Sequence, residues 1–268
     1  MTRFEADTAV TAEGGGRYRA HIDRGWWIER GPNGGYLAAI VLRAVLAEVS
    51  APERRVRSCT LHYLRSPVEG PCEVRVTVER SGRGLSTVSA RLRQADQDCI
   101  LALVAVGTDR SGPAVHDHPA PHVPHPDELG PTPPSPGAPD IPMHRRYETR
   151  AALGAPPFAG AEHALTGGWI RSTEEDPVDD LLVAAITDAW PPAIFSRLSD
   201  RVGVPTVELT IHLWNRPSLR PGWCLVRFQT FEAVDGYLEE SGEVWSEDGV
   251  LLADSCQLSV FVGAQPPE

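Results

Sequence analysis

The stretch NGGYLAAIVLRAVLAEV, residues 33–49, decides how the rest of the chain is read. Its apolar residues fall on nearly every side of a 3.6-residue period, so the helix it predicts has to be covered all round. A second stretch, DDLLVAAITDAW at 179–190, can be laid over it. Residues 36–43, YLAAIVLR, align with 181–188, LLVAAITD, at a constant offset of 145, and Arg43 in one copy stands where Asp188 stands in the other.

The repetition extends outward from both helices. After the first comes CTLHYLRSPVEGPCEVRV (59–76) and after the second LTIHLWNRPSLRPGWCLVRF (209–228). Thr60-Leu61-His62 matches Thr210-Ile211-His212, Pro67 matches Pro217, and Cys72 matches Cys224 after a two-residue insertion. An internal repeat at this spacing mimics a homodimer fused into one chain. In each copy three further runs rich in Val, Leu, Thr and aromatic residues follow: 73–80, 85–94 and 99–107 in the first, 224–233, 237–246 and 250–262 in the second. The turns SGRG, ADQD, VDG and EDG separate them, which predicts antiparallel meanders. One curved antiparallel sheet wrapped round each long apolar helix satisfies both patterns. The expected class is therefore α+β, with domains at 1–110 and 144–268. The tract between them, 111–143, is dense in proline and has no hydrophobic period, and it reads as a linker. Its His116, His118, His122 and His125 are irregularly spaced and are expected to be solvated rather than metal-binding.

Composition excludes much else. The 268 residues, 41% hydrophobic and 23% charged, suit a globular chain long enough for two domains. No apolar run follows MTRFEADTAV and no stretch is long enough to span a bilayer, so a cytoplasmic protein without membrane partners is expected. A net charge of −11 argues against nucleic acid. The five cysteines lie in apolar strand-like runs without a Cys-x-x-Cys, the pattern of small buried hydrophobes. The chain contains no lysine, which removes Schiff-base chemistry, a P-loop and a Ser-Lys dyad. No Gly-x-Ser-x-Gly supports a serine triad, and no histidine stands near either helix to make an Asp-His hydratase. His62 and His212 occupy equivalent strand positions, which argues for shared packing. Neither a cofactor nor a metal is expected.

Three features carry candidate chemistry. Asp188 shares a helical stripe with Leu181, Ala184 and Ala185, where desolvation would raise its pKa toward that of a general base; the alternative is a helix-end aspartate reaching solvent past Pro191-Pro192. Gln257 sits in the apolar strand CQLSVFV, and its amide either bonds a neighbouring strand or helps hold a water. Gly34 and Gly35 open the first helix, where unpaired N–H groups and the dipole suit an oxyanion; the alternative is a turn that only admits the chain into the helix. The second copy has Asp179 and Asp180 at that place, a poor oxyanion site but a favourable charge.

The segments GWWIERGPNGGYLAAIVLRAV, LHYLRSPVEGP and SEDGVLLADSCQLSVF, with the proline-rich linker, resemble the double-hotdog acyl-CoA thioesterases of the type II class over nearly the whole chain. DGVLLADSCQ, 248–257, is the most specific piece. The resemblance implies two tandem hotdog domains and a water held by an aspartate on the C-terminal helix, a Ser or Thr on the following strand, and a glutamine. Asp188 and Gln257 match two of these. The hydroxyl position falls on Val207, with Thr206 beside it and Thr210 further along as candidates. The implied substrate is an acyl-CoA or an acyl-carrier-protein thioester, and a homo-oligomer is expected because sheet edges invite pairing. A catalytically silent hotdog protein that binds an acyl group or acts as a scaffold is the alternative.

Overall fold

The computed structural model describes residues 1–133 and 140–263; the part of the expected linker at 134–139 lies outside the described residues. The first half comprises α1 (Arg3–Asp7), β1 (Thr11–Gly14), β2 (Arg17–Ile22), α2 (Gly34–Val49), β3 (Arg55–Tyr63), β4 (Gly70–Ser81), β5 (Leu85–Gln94) and β6 (Gln97–Gly107). The second comprises β7 (Tyr147–Gly154), β8 (Ala164–Ser172), α3 (Asp180–Ile186), α4 (Ile194–Arg197), β9 (Thr206–Leu213), β10 (Cys224–Thr230), β11 (Ala233–Val234), β12 (Tyr237–Ser246) and β13 (Leu251–Val260). All strands join one antiparallel sheet in the order β1-β2-β4-β5-β6-β3-β9-β13-β12-β10-β8-β7, with β11 alongside β12. No described helix is long and apolar enough to cross a membrane.

The two halves meet at β3 and β9. Thr60 pairs with Thr210, and their Oγ1 atoms lie 2.8 Å apart. Since these two threonines are also equivalent in the repeat, a local two-fold passes between them. The register obeys it: Ser58 pairs with His212 and, on the other side, His62 pairs with Glu208. The same relation sets α2 against α3, so that Gly35 approaches Ala185 and Asp188 while Arg43 faces Asp179.

Helix α2 is built as its sequence demands. The Asn33 side chain caps it by accepting from Tyr36 N–H at 2.9 Å, and Ser50 ends it in the left-handed conformation at φ 46°. Residues Gly35 to Leu42, together with Ala44 and Val45, are buried, with the sheet from β2 to β6 around them and α3 alongside. Its large aliphatic side chains contribute ~1.5–3 kcal/mol each on burial. The second helix differs from expectation: α3 is seven residues, not a long rod. The Thr187 hydroxyl turns back to the Ala184 carbonyl at 2.8 Å, and Pro191-Pro192 cannot extend the ladder. Arg55, 5% exposed, ties this helix to the first half by a two-pronged ion pair with Asp180 at 2.6 and 2.9 Å.

Two further points qualify the expectations. His116, His118, His122 and His125 are exposed, as expected, but the proline-rich tract around them does more than link. Ala120, Val123 and Leu129 pack on a cluster of Trp169, Trp223, Leu225 and Trp245 on the sheet face away from the helices. His118 stacks on Trp245 and bonds Glu243, and the Trp169 indole donates to the Pro124 carbonyl. A tract without helical or strand periodicity can still lie extended across an apolar surface, which the local pattern does not reveal. Among the cysteines, four are buried but Cys256 is exposed, because its position in the pleat turns it outward.

Candidate active site

Asp188 stands just beyond α3, on the turn closed by its own N–H to the Ala185 carbonyl (3.3 Å), rather than within the helix. This turn delivers its carboxylate to the N-terminus of α2. Oδ2 accepts from the Gly35 N–H at 2.9 Å and from Asn33 Nδ2 at 2.9 Å, and the same Asn33 amide reaches the Asp188 backbone carbonyl at 2.6 Å. Tyr63 braces the turn from β3 by donating its hydroxyl to the Gly34 carbonyl at 2.9 Å. Burial pushes the Asp188 carboxyl up to about 6, against the opposing pull of the Gly35, Gly34 and Asn33 donors. A carboxyl that ionises just below neutrality beside a helix N-terminus suits reversible uptake of a proton.

The glycines therefore lie at the site, but with their amides directed at the carboxylate. Gly35 has a second reason to lack a side chain: a Cβ there would fall under 3.0 Å from the Ala185 carbonyl oxygen. Without it the two helix backbones approach closely. The two-fold mate of Asp188 is Arg43, which donates to Thr8 Oγ1 and feels the charge of Asp179. The two crossings carry opposite chemistry, and the carboxylate arrangement occurs at one of them.

Gln257 is 7% exposed and lies on the helix-facing side of β13, opposite Leu209 on β9 and Glu240 on β12. Its Nε2 donates to Ser259 Oγ at 3.1 Å. A register shift between Leu258 and Ser259 sets Thr206 opposite Ser259, so Thr206 shares this inner face with Gln257 although simple alternation from Leu209 would turn it outward. Thr210 is not brought there. It pairs with the exposed Cys256 on the outer face, bonded to Thr60 and to Glu208 at 2.5 Å. His212 bonds Asp254 at 2.7 Å on that same outer side.

Sequence reading missed Asn33, Tyr63 and Glu240. Asn33 was legible as a helix cap, but its bond to a residue 155 positions away was not. Glu240 left a signal: along YLEESGEVWS it falls in step with Leu238 and Val244, so a carboxylate occupies an inward place.

An antiparallel sheet packed around apolar helices, with a carboxylate at a helix N-terminus and a buried glutamine on the helix-facing side of β13, is a hotdog-type scaffold with a candidate acid–base site. Residues 23–108 match the family model of the acyl-CoA thioesterase N-terminal domain, and residues 126–261 that of the acyl-CoA thioesterase C-terminal domain. The chain belongs to this acyl-CoA thioesterase family. Similar solved structures share the fold. A thioesterase II candidate from Thermobifida fusca YX is 28% identical over 98% of both chains, with a TM-score of 0.84. A hot dog protein of unknown function from Alicyclobacillus acidocaldarius is 24% identical over 99% of this chain and 100% of its own, with a TM-score of 0.88. An acyl-CoA thioesterase II from Mycobacterium marinum is 20% identical over 97% and 98%, with a TM-score of 0.77, and attests the fold. Among curated proteins no match is found.

Proposed function

We propose that the chain hydrolyses an acyl-CoA thioester by direct attack of water, with Asp188 as the base. The observation that supports this most is the hold on Asp188: Oδ2 is fixed by Gly35 and Asn33 while burial keeps the group basic enough to take a proton near neutrality. Oδ1 is then the atom assigned to the water, with Gln257 as its second partner and Thr206 as the hydroxyl on the same face. A thioester needs no nucleophilic side chain, because its carbonyl is already activated.

The oxyanion is assigned to the amides of Gly34 and Gly35. As Asp188 takes the water's proton it becomes neutral, and its claim on those amides weakens as charge develops on the substrate carbonyl. The positive end of α2 thus passes from one anion to the other. Thiol release from a panel of short, medium, long and aromatic acyl-CoAs, and from the corresponding acyl-carrier-protein thioesters, tests the proposal. Wild-type turnover that falls at least tenfold in Gln257→Ala supports the assignment. Absence of hydrolysis across the panel, with acyl-CoA still bound, would instead identify a catalytically silent acyl-binding protein.

A further inference from the structure

Glu240 lies on β12 across from Gln257 and is 8% exposed. Alternation places it with Leu238 and Val244 on the side of the sheet that faces the helices. Its Oε2 accepts the Ala193 N–H at 2.5 Å, and Ala193 belongs to the segment that runs on from Asp188. Thr230 of β10 is also buried, and its Oγ1 has no partner. The inner face here holds more hydrogen-bonding capacity than the strands themselves require.

The other half of the sheet shows what the fold alone asks of these positions. The local two-fold maps Leu209 onto Cys59; Cys59 pairs with Val104, and Val104 pairs with Val88. Val104 and Val88 are thus the counterparts of Gln257 and Glu240, and they are 1% and 0% exposed. Two valines suffice for the sheet. A buried amide and carboxyl cost several kcal/mol unless each finds a partner, so their presence in the half that carries Asp188 points to chemistry rather than packing.

We infer that Glu240 is a positioning residue of the hydrolytic site: in its protonated form it donates its O–H to the Gln257 side-chain carbonyl and so turns the Gln257 N–H2 toward the water. The inference rests on the proposed roles of Asp188 and Gln257. Directly paired residues hold their Cβ atoms ~4.5–5.5 Å apart, which brings the two side chains within reach. Gln257 gives one N–H to Ser259, which leaves its carbonyl able to accept from a donor on β12 while its second N–H points to the water. A carboxylic acid can be that donor where a carboxylate cannot. Burial, opposed by the Ala193 N–H and reinforced by the negative charges of Asp188 and, on its own strand, Glu239, pushes Glu240 up to about 8. Asp188 titrates lower, at about 6. Between those values the site combines an ionised acceptor for the water's proton with a neutral donor for the amide. Above about 8 the Glu240 carboxylate attracts the Gln257 N–H2 to itself, and the amide turns away from the water.

The test joins a spectroscopic readout to a kinetic one. In the 15N-labelled protein the Gln257 side-chain amide signals, assigned by their loss in Gln257→Ala, should move with a midpoint near about 8 and stay fixed in Glu240→Gln. Signals that do not titrate in the wild type overturn the inference. In thiol-release assays Glu240→Val, which installs the residue of the other half, should fold with KM little changed and kcat reduced at least tenfold. Glu240→Gln, which retains an N–H donor, should recover part of kcat and lose the alkaline fall of the rate. Unchanged kcat in Glu240→Val also overturns the inference. A wild type that hydrolyses nothing while its Gln257 signals titrate refutes the proposed function and supports the Glu240–Gln257 coupling, so the two failures are distinguishable.

Discussion

Replacing Asp188 by asparagine should raise stability while removing most turnover. Burial holds this carboxyl at about 6 against an ordinary 3.8, although three donors favour its charged form. The difference corresponds to ~3 kcal/mol of folding free energy lost once the group is ionised in both folded and unfolded states. Because the folded protein keeps the proton to higher pH than the unfolded chain, the penalty is absent below 3.8, grows as pH rises toward about 6, and is complete above it. Asparagine retains an oxygen for Gly35 and Asn33 and never ionises. Some of the gain is offset by its extra N–H2, so ~1–3 kcal/mol of net stabilisation is expected near neutral and alkaline pH. At roughly 2–4 °C per kcal/mol for a chain of this size, Tm should rise by several degrees at about pH 8 and be nearly unchanged near pH 4. Thiol release should meanwhile fall by about two orders of magnitude, the scale of a lost general base. An Asp188→Asn protein that melts below the wild type at both pH values, or that turns over normally, would refute the reasoning.

The two threonines should separate. Thr206→Val should lower turnover about tenfold, whereas Thr210→Val, altered on the outer face, should leave it unchanged and cost ~1 kcal/mol in urea denaturation through the lost bond to Thr60; equal kinetic effects would contradict the face assignment. Gly35→Ala forces a methyl against the Ala185 carbonyl and should destabilise by ~1–3 kcal/mol, so an unchanged Tm would show that the helices have room to part. Arg55→Ala leaves Asp180 without its two-pronged partner and should cost ~3–5 kcal/mol; a shift in the urea midpoint worth well under ~1 kcal/mol would place that pair among ordinary surface contacts.

Much of this protein is legible in local patterns. The all-round apolar helix at 33–49, the alternating runs that become β4 to β6 and β10 to β13, and the repeat that pairs Thr60 with Thr210 are consequences of period and composition, which the sequence carries directly. Asp188 and Gln257 were likewise visible as polar residues in apolar surroundings. The length of α3 was not, because a Thr side chain bonding back to the Ala184 carbonyl and a following Pro pair end the helix earlier than hydrophobic periodicity suggests. Nor was the covering of the tryptophan cluster by a proline-rich tract that lacks any period of its own. The chemistry of the site is the most tertiary property of all. A register shift between Leu258 and Ser259 decides that Thr206 faces inward, and helix crossing decides that Asp188 meets Gly35 and Asn33. The donors to Asp188 all lie at the start of another helix, over 150 residues away in the chain, and together with burial they fix its basicity; sequence period reports which face a residue takes, while only packing reports what that face meets.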